Sequence, residues 1–160
     1  MRKTIAGVVL ASLLPALHAA EPAVSALKGT WTLVAADVEY ADGRRLRDYG
    51  SAPKGRLFID QQGHYSLQIF KSERPAFATI DKNAGTDAEF KAAVLGSSTH
   101  YGTIDMEGNV LIFHVEGASF PNWEGTAQRR SFELKGNELS YRVPPRQDGG
   151  TPISVWHRLM

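Results

Sequence analysis

From Gly29 onward the chain alternates. Val, Ile, Leu, Tyr and Phe recur at every second position in short runs. Between the runs stand Asp42-Gly43, Asp60-Gln61-Gln62-Gly63, Asp105-Met106-Glu107-Gly108, Gly136-Asn137 and Gly149-Gly150. A period of two belongs to a strand with one covered face. Clusters of Gly, Asp and Asn suit tight hairpins rather than the long crossovers that parallel strands need. The pattern predicts strands over 29–41, 55–60, 64–70, 98–105, 109–117, 126–135, 138–143 and 153–159. Eight such strands in succession predict an all-β, antiparallel, up-and-down barrel, because closure removes the edges an open sheet would expose.

One helix interrupts the alternation. Thr86-Asp87-Ala88-Glu89 has capping-box spacing, Phe90, Ala93 and Val94 follow at helical intervals, and Gly96 ends the segment. Such a helix would lie against the barrel or over one end. Two hairpins share Asp-x-x-Gly, the pattern of a type I turn followed by a left-handed glycine. At Asp60–Gly63 this register pairs Ile59 with Tyr65 and Leu57 with Leu67. At Asp105–Gly108 it pairs Ile104 with Val110 and His100 with His114, whereas a shorter turn sets Tyr101 opposite His114. At Gly136-Asn137 a two-residue turn sets Phe132 against Tyr141 and Leu134 against Leu139.

The first residues follow other rules. Arg2 and Lys3 precede an apolar run over 5–14, Pro15 breaks it, and Ala16, Ala19 and Ala20 follow. That is the order of a secretory signal peptide, and the run is too short for a membrane-spanning helix, which takes about 20 residues. The expected division is a leader over 1–20 and one domain over 21–160, periplasmic or secreted. The chain has 18 basic and 17 acidic residues, so losing Arg2 and Lys3 leaves it near neutrality, with no charge pattern for nucleic acid or an anionic membrane. With no cysteine, the fold has no disulfide, thiol nucleophile or cysteine lipid anchor to draw on.

Several stretches carry a resemblance: Gly29-Thr30-Trp31 at the start of the first strand, PKGRLFIDQQGHYSLQI, the block from His114 to Phe132 with Pro121-Asn122-Trp123 and Gln128-Arg129-Arg130, and SVWHRL near the end. Together they resemble the bacterial lipocalin-like domain family across the region following the leader. The resemblance implies a calycin-like barrel that binds a small hydrophobic or amphipathic molecule. It also implies that Trp31 closes one barrel end under a basic side chain, for which Arg158 is the candidate.

Candidate chemistry is sparse. Phe132 and Leu134 mark the apolar face of their strand, and period two puts Arg130 and Gln128 on that face too. A guanidinium inside a barrel needs a carboxylate, a ligand acid or water; the alternative is Arg130 at the rim, reaching solvent. A ligand acid would set its head on Arg130 and Gln128, its tail against Tyr65, Tyr101 and Phe132, with His114 and Trp123 as further contacts. His114 and Glu116 share a face, and the Asp105–Gly108 register adds His100, a set that could hold zinc or iron. Against it, Leu111, Phe113 and Val115 form a wholly apolar opposite face, and no metal motif accompanies the set. The expectation is no metal and no cofactor. Ser119 has no acid–base partner at a recognisable spacing. Three functions follow: a carrier or sensor with no catalysis, a cavity-based isomerase or cyclase in which His114, Glu116 or Tyr101 moves a proton, and a filled barrel that acts through its loops.

Overall fold

The structure is a computed structural model describing residues 24–159, so the leader expected over 1–20 lies outside the described residues. The strands are β1 (Gly29–Glu39), β2 (Arg45–Leu46), β3 (Lys54–Ile59), β4 (His64–Phe70), β5 (Ser97–Glu107), β6 (Val110–Ala118), β7 (Ala127–Lys135), β8 (Glu138–Arg142) and β9 (Thr151–Arg158). From β3 to β9 each pairs antiparallel with the next, and β1 pairs with both β3 and β9. That double pairing closes an eight-stranded barrel. The eight expected strands are all there, their ends within two residues of the sequence reading. The alternation did not mark β2, a two-residue strand hung on the end of β1.

The two ends differ. At one, a single 3-10 turn (Val24–Leu27) crosses beneath the sheet. Leu27 and Trp31 are wholly buried there, and the Trp31 indole N–H donates to the Leu27 carbonyl at 2.9 Å. Arg158, directly opposite Trp31 across β1 and β9, lays its guanidinium 4.1 Å from the indole ring. It also donates to the carbonyls of Ala26, at 2.6 Å, and Lys28. This end is shut. The other end carries the longer connections over 40–53, 71–96, 119–126 and 143–150. Among them, α1 (Asp87–Leu95) begins as its capping box requires: Thr86 Oγ1 accepts from the Glu89 amide, and the Glu89 carboxylate accepts from the Thr86 amide. No residue of α1 is buried, and Phe90 packs edge-on against Phe77.

Leu33, Leu57, Ile59, Leu67, Ile69, Ile104, Leu111, Phe113, Phe132 and Leu139 fill the barrel as the inward half of each alternation. The Asp60–Gly63 hairpin has the expected pairs Ile59–Tyr65 and Leu57–Leu67, with Gly63 left-handed at φ +87°. The Gly136-Asn137 hairpin likewise pairs Phe132 with Tyr141 and Leu134 with Leu139. The third hairpin corrects the sequence reading. β5 continues through Asp105 to Glu107, which pairs with Val110 across a two-residue Gly108-Asn109 turn. Gly108 (φ +56°) matches Gly136 (φ +58°), and among the described residues no non-glycine has positive φ. A left-handed first position alone is the signature of a type II′ turn, so Gly-Asn outcompetes Asp-x-x-Gly here. His114 therefore faces Thr103, not His100 or Tyr101, and His100 pairs with Ala118 beyond a bulge that leaves Glu116 without a partner.

Candidate ligand-binding site

β7 changes partners midway. Ala127–Ser131 pair with β6 and Ser131–Lys135 with β8, so the two ladders overlap at Ser131. Past Arg142 the chain runs into Pro144 and Pro145, which have no N–H for a ladder, and the Val143 amide bonds to Pro152 on β9 instead. A cleft of about 260 Å³ opens on the wall at this point, lined by Arg129, Arg130, Val143 and Pro144.

Arg130 turns inward from there and is 94% buried, its exposure being 6%. Its guanidinium stands 4.2 Å from the Phe113 ring centroid and 5.0 Å from that of Tyr141. One nitrogen, Nη2, lies 2.8 Å from Gln128 Oε1 and 3.2 Å from His100 Nε2. His100 Nδ1 is in turn 2.7 Å from Tyr65 Oη. Tyr65, His100 and Tyr141 all pack around Phe113, with ring centroids 4.9, 5.8 and 5.7 Å away. Burial, reinforced by the Arg130 charge, lowers the His100 pKa to about 3, and burial raises that of Tyr65. At neutral pH both are uncharged and Arg130 is the cation. Among the described residues no carboxylate forms an ion pair with it, and its Nε–H has no hydrogen-bond partner. Tyr141 Oη and Trp156 Nε1, nearby in the same core, also lack partners.

Above the cluster, the open end holds a cavity of about 270 Å³ among Ala36, Tyr49, Ile69, Ser98, Trp123 and Ser154. Trp123 touches both regions: it lines the cavity, and its ring lies edge-on to His100 at 6.0 Å. A 3-10 turn, Pro121–Trp123, holds it in place, and Gly125, left-handed at φ +71°, returns the chain to β7. With its cluster and mouth cavity, the barrel is matched over residues 28–159 by the family model for the lipocalin-like domain.

The chain belongs to that family. No curated protein sequence matches this lipocalin-like domain. Solved structures similar to it include a lipocalin-like protein from Bacteroides uniformis, at 15% identity over 83% of this chain and 98% of that one, with a TM-score of 0.43. A mutant of the fluorescent protein UnaG (15% identity, 84% and 97% covered) and a fatty acid transporter, REP1-NXSQ (16% identity, 84% and 97% covered), each give a TM-score of 0.37.

Within the lipocalin-like barrel, Tyr65, Arg130 and Phe132 face the interior, Gln128 is half-buried against Arg130, and Trp123 stands at the mouth. Tyr101 and His114, grouped with them from the sequence, need correction. Both point outward. Tyr101 is 55% exposed and lies across Gly117, while His114 makes a 2.9 Å contact with Asp105 on the outer surface. His100 is inside, so the set of His100, His114 and Glu116 is divided between the two faces. Among the described residues no group of three or more His, Cys, Asp or Glu can hold a metal ion. The sequence reading missed His100, Tyr141 and Trp156 as interior polar groups. The alternation Ser98, His100, Gly102, Ile104 carried a signal for His100, because Ile104 marks the inward face of β5.

Proposed function

We propose that the domain is an exported, non-catalytic binding module for a small amphipathic acid. Its carboxylate sits at Arg130 and its apolar part lies toward the mouth. One observation carries the reading: Arg130 is a buried guanidinium with no carboxylate partner among the described residues. Such a charge is destabilising by several kcal/mol, which two hydrogen bonds and two aromatic faces offset only in part. A ligand carboxylate would complete the balance through charge-assisted hydrogen bonds. The mouth volume limits the apolar part. At about 270 Å³ it lies just below the usual range for ligand pockets, roughly 300–1,000 Å³, and favours a compact aromatic or branched acid over a long fatty chain.

A short test uses 3-phenylpropanoate and its methyl ester, titrated by calorimetry. Arg130→Met weakens the acid by about 1.5–3 kcal/mol, the scale of a hydrogen bond to a charged group, and leaves the ester nearly unchanged. Arg129, which points outward to Glu107 at 2.6 Å, is the control; Arg129→Met changes neither. Equal losses from both substitutions defeat the reading. The dense filling of the barrel centre, where Trp156 and Tyr141 are at most 1% exposed, favours a second reading: a ligand-free barrel acting through its loops. That reading requires that neither compound bind.

A further inference from the structure

Hydrogen-bond bookkeeping at the cluster fixes where each proton lies. An arginine only donates. The Arg130 Nη2 contact with His100 Nε2 at 3.2 Å therefore makes Nε2 an acceptor, with its lone pair bare. The second Nη2 hydrogen goes to Gln128 Oε1. A neutral imidazole with a bare Nε2 carries its proton on Nδ1, and that proton points at Tyr65 Oη, 2.7 Å away. The Tyr65 oxygen is then the acceptor in this contact. Its own hydrogen has no use within the His100–Arg130 chain.

We infer that His100 is a positioning residue, held as the Nδ1–H tautomer, which turns the Tyr65 hydroxyl into a second donor for the ligand's polar end. This deepens the binding reading above and rests on it. The consequence is a recognition rule. Arg130 Nε–H, the Tyr65 hydroxyl and the indole N–H of Trp156 are donors, and the Tyr141 hydroxyl, which has no partner, is free to join them. Arg130 also donates to both acceptors beside it, His100 Nε2 and Gln128 Oε1. The core therefore suits a head group that accepts through every polar atom, an ionised carboxylate. It disfavours primary amides and alcohols, whose own hydrogens leave fewer of these donors matched. Tyr65 and Arg130 both lie against Phe113, on the two nitrogens of the same His100 ring. The neutral state of His100 is built in rather than set by solution: burial and the adjacent guanidinium both oppose its protonation.

Two measurements on the whole chain test this. Long-range nitrogen–proton NMR of histidine-labelled wild-type protein, with His100 assigned by loss of its signals in His100→Gln, should show Nδ1 protonated and Nε2 bare at pH 7. A proton on Nε2, or an imidazolium, overturns the inference and leaves the role of Arg130 intact. The second compares 3-phenylpropanoate with 3-phenylpropanamide. Wild type should prefer the acid by more than tenfold, and Tyr65→Phe, which keeps the ring, should weaken the acid about tenfold while leaving the amide unchanged. An equal loss for acid and amide reduces Tyr65 to packing and overturns the donor assignment. Failure of wild type to bind the acid at all removes the binding reading, and the recognition rule with it.

Discussion

Replacing Trp31 by alanine tests the closed end of the barrel. The indole is wholly buried, and large-to-small changes of this kind are destabilising by about 3–5 kcal/mol. The lost N–H bond to the Leu27 carbonyl adds on the order of 1 kcal/mol and leaves a buried acceptor unmet. Arg158→Ala removes a cation 4.1 Å above the same ring and two donors to the carbonyls of Ala26 and Lys28, for about 1–3 kcal/mol in all at this half-buried site. The two changes must not add. Once the indole has gone, the guanidinium has no ring to cover. Once the guanidinium has gone, the Val24–Leu27 turn is looser and the Leu27 carbonyl is a poorer acceptor. The expected coupling is about 1–2 kcal/mol, set by a partly desolvated cation–π contact plus the shared turn. Urea denaturation of wild type, both single variants and the double variant closes the cycle. Additivity to within about 0.5 kcal/mol would refute the claim that ring, cation and turn act as one closure.

Burial of neutral His100 makes stability depend on acid. Its folded pKa, about 3, lies below the ordinary value of 6.5, so the unfolded chain binds the extra proton between those limits. This contribution is complete above about pH 6.5 and declines by on the order of 1 kcal/mol per unit as the pH falls towards 3. The melting curve of His100→Gln should lack that slope, and an identical slope in both proteins would sink the assignment. Gly102→Ala should be destabilising at or above the usual ~1–3 kcal/mol of overpacking, because the new Cβ would stand 1.9 Å from the backbone oxygen of His114. Gly117→Ala meets only the outer end of the Tyr101 ring, which can swing away, so chemical denaturation should find it much milder. Chelator should leave the melting temperature where it was; a drop reversed by zinc would contradict the absence of a convergent ligand set among the described residues.

The barrel was legible because turn chemistry and alternation are local signals that agree. Ile59 opposite Tyr65 and Phe132 opposite Tyr141 follow from turn chemistry and are confirmed by apolar pairing on both strands. The Asp105 hairpin was not legible, because two turn signals overlap over Asp105–Asn109. The choice between them depends on how far β5 stays paired with β4 and β6. Phe132 and Leu134 put Arg130 on the inward face, but alternation carries no depth and left the interior and the rim both open. His100 was misplaced because its face was read from its supposed partner His114 rather than from Ile104 on its own strand. Tyr141 and Trp156 were visible only as apolar residues. That their polar atoms lack partners depends on the contents of the barrel, which no pattern along one strand encodes.

Closure of the barrel by Trp31 and Arg158 also decides how the molecule can be handled. Both ends of the folded domain, Val24 and Leu159, lie at the shut pole, and the Leu159 amide bonds to the carbonyl of Thr30. The mouth is at the opposite pole. Anchoring the barrel to a surface at Val24 or at Leu159 therefore leaves the mouth facing the solution. The same proximity allows the two ends to be joined and the chain reopened elsewhere, since neighbouring termini make circular permutation tolerable. Reopening within 71–96, where α1 buries none of its residues, leaves every barrel ladder continuous. Such a permutant would turn the mouth loop into a pair of free ends and give a reporter its attachment beside the site.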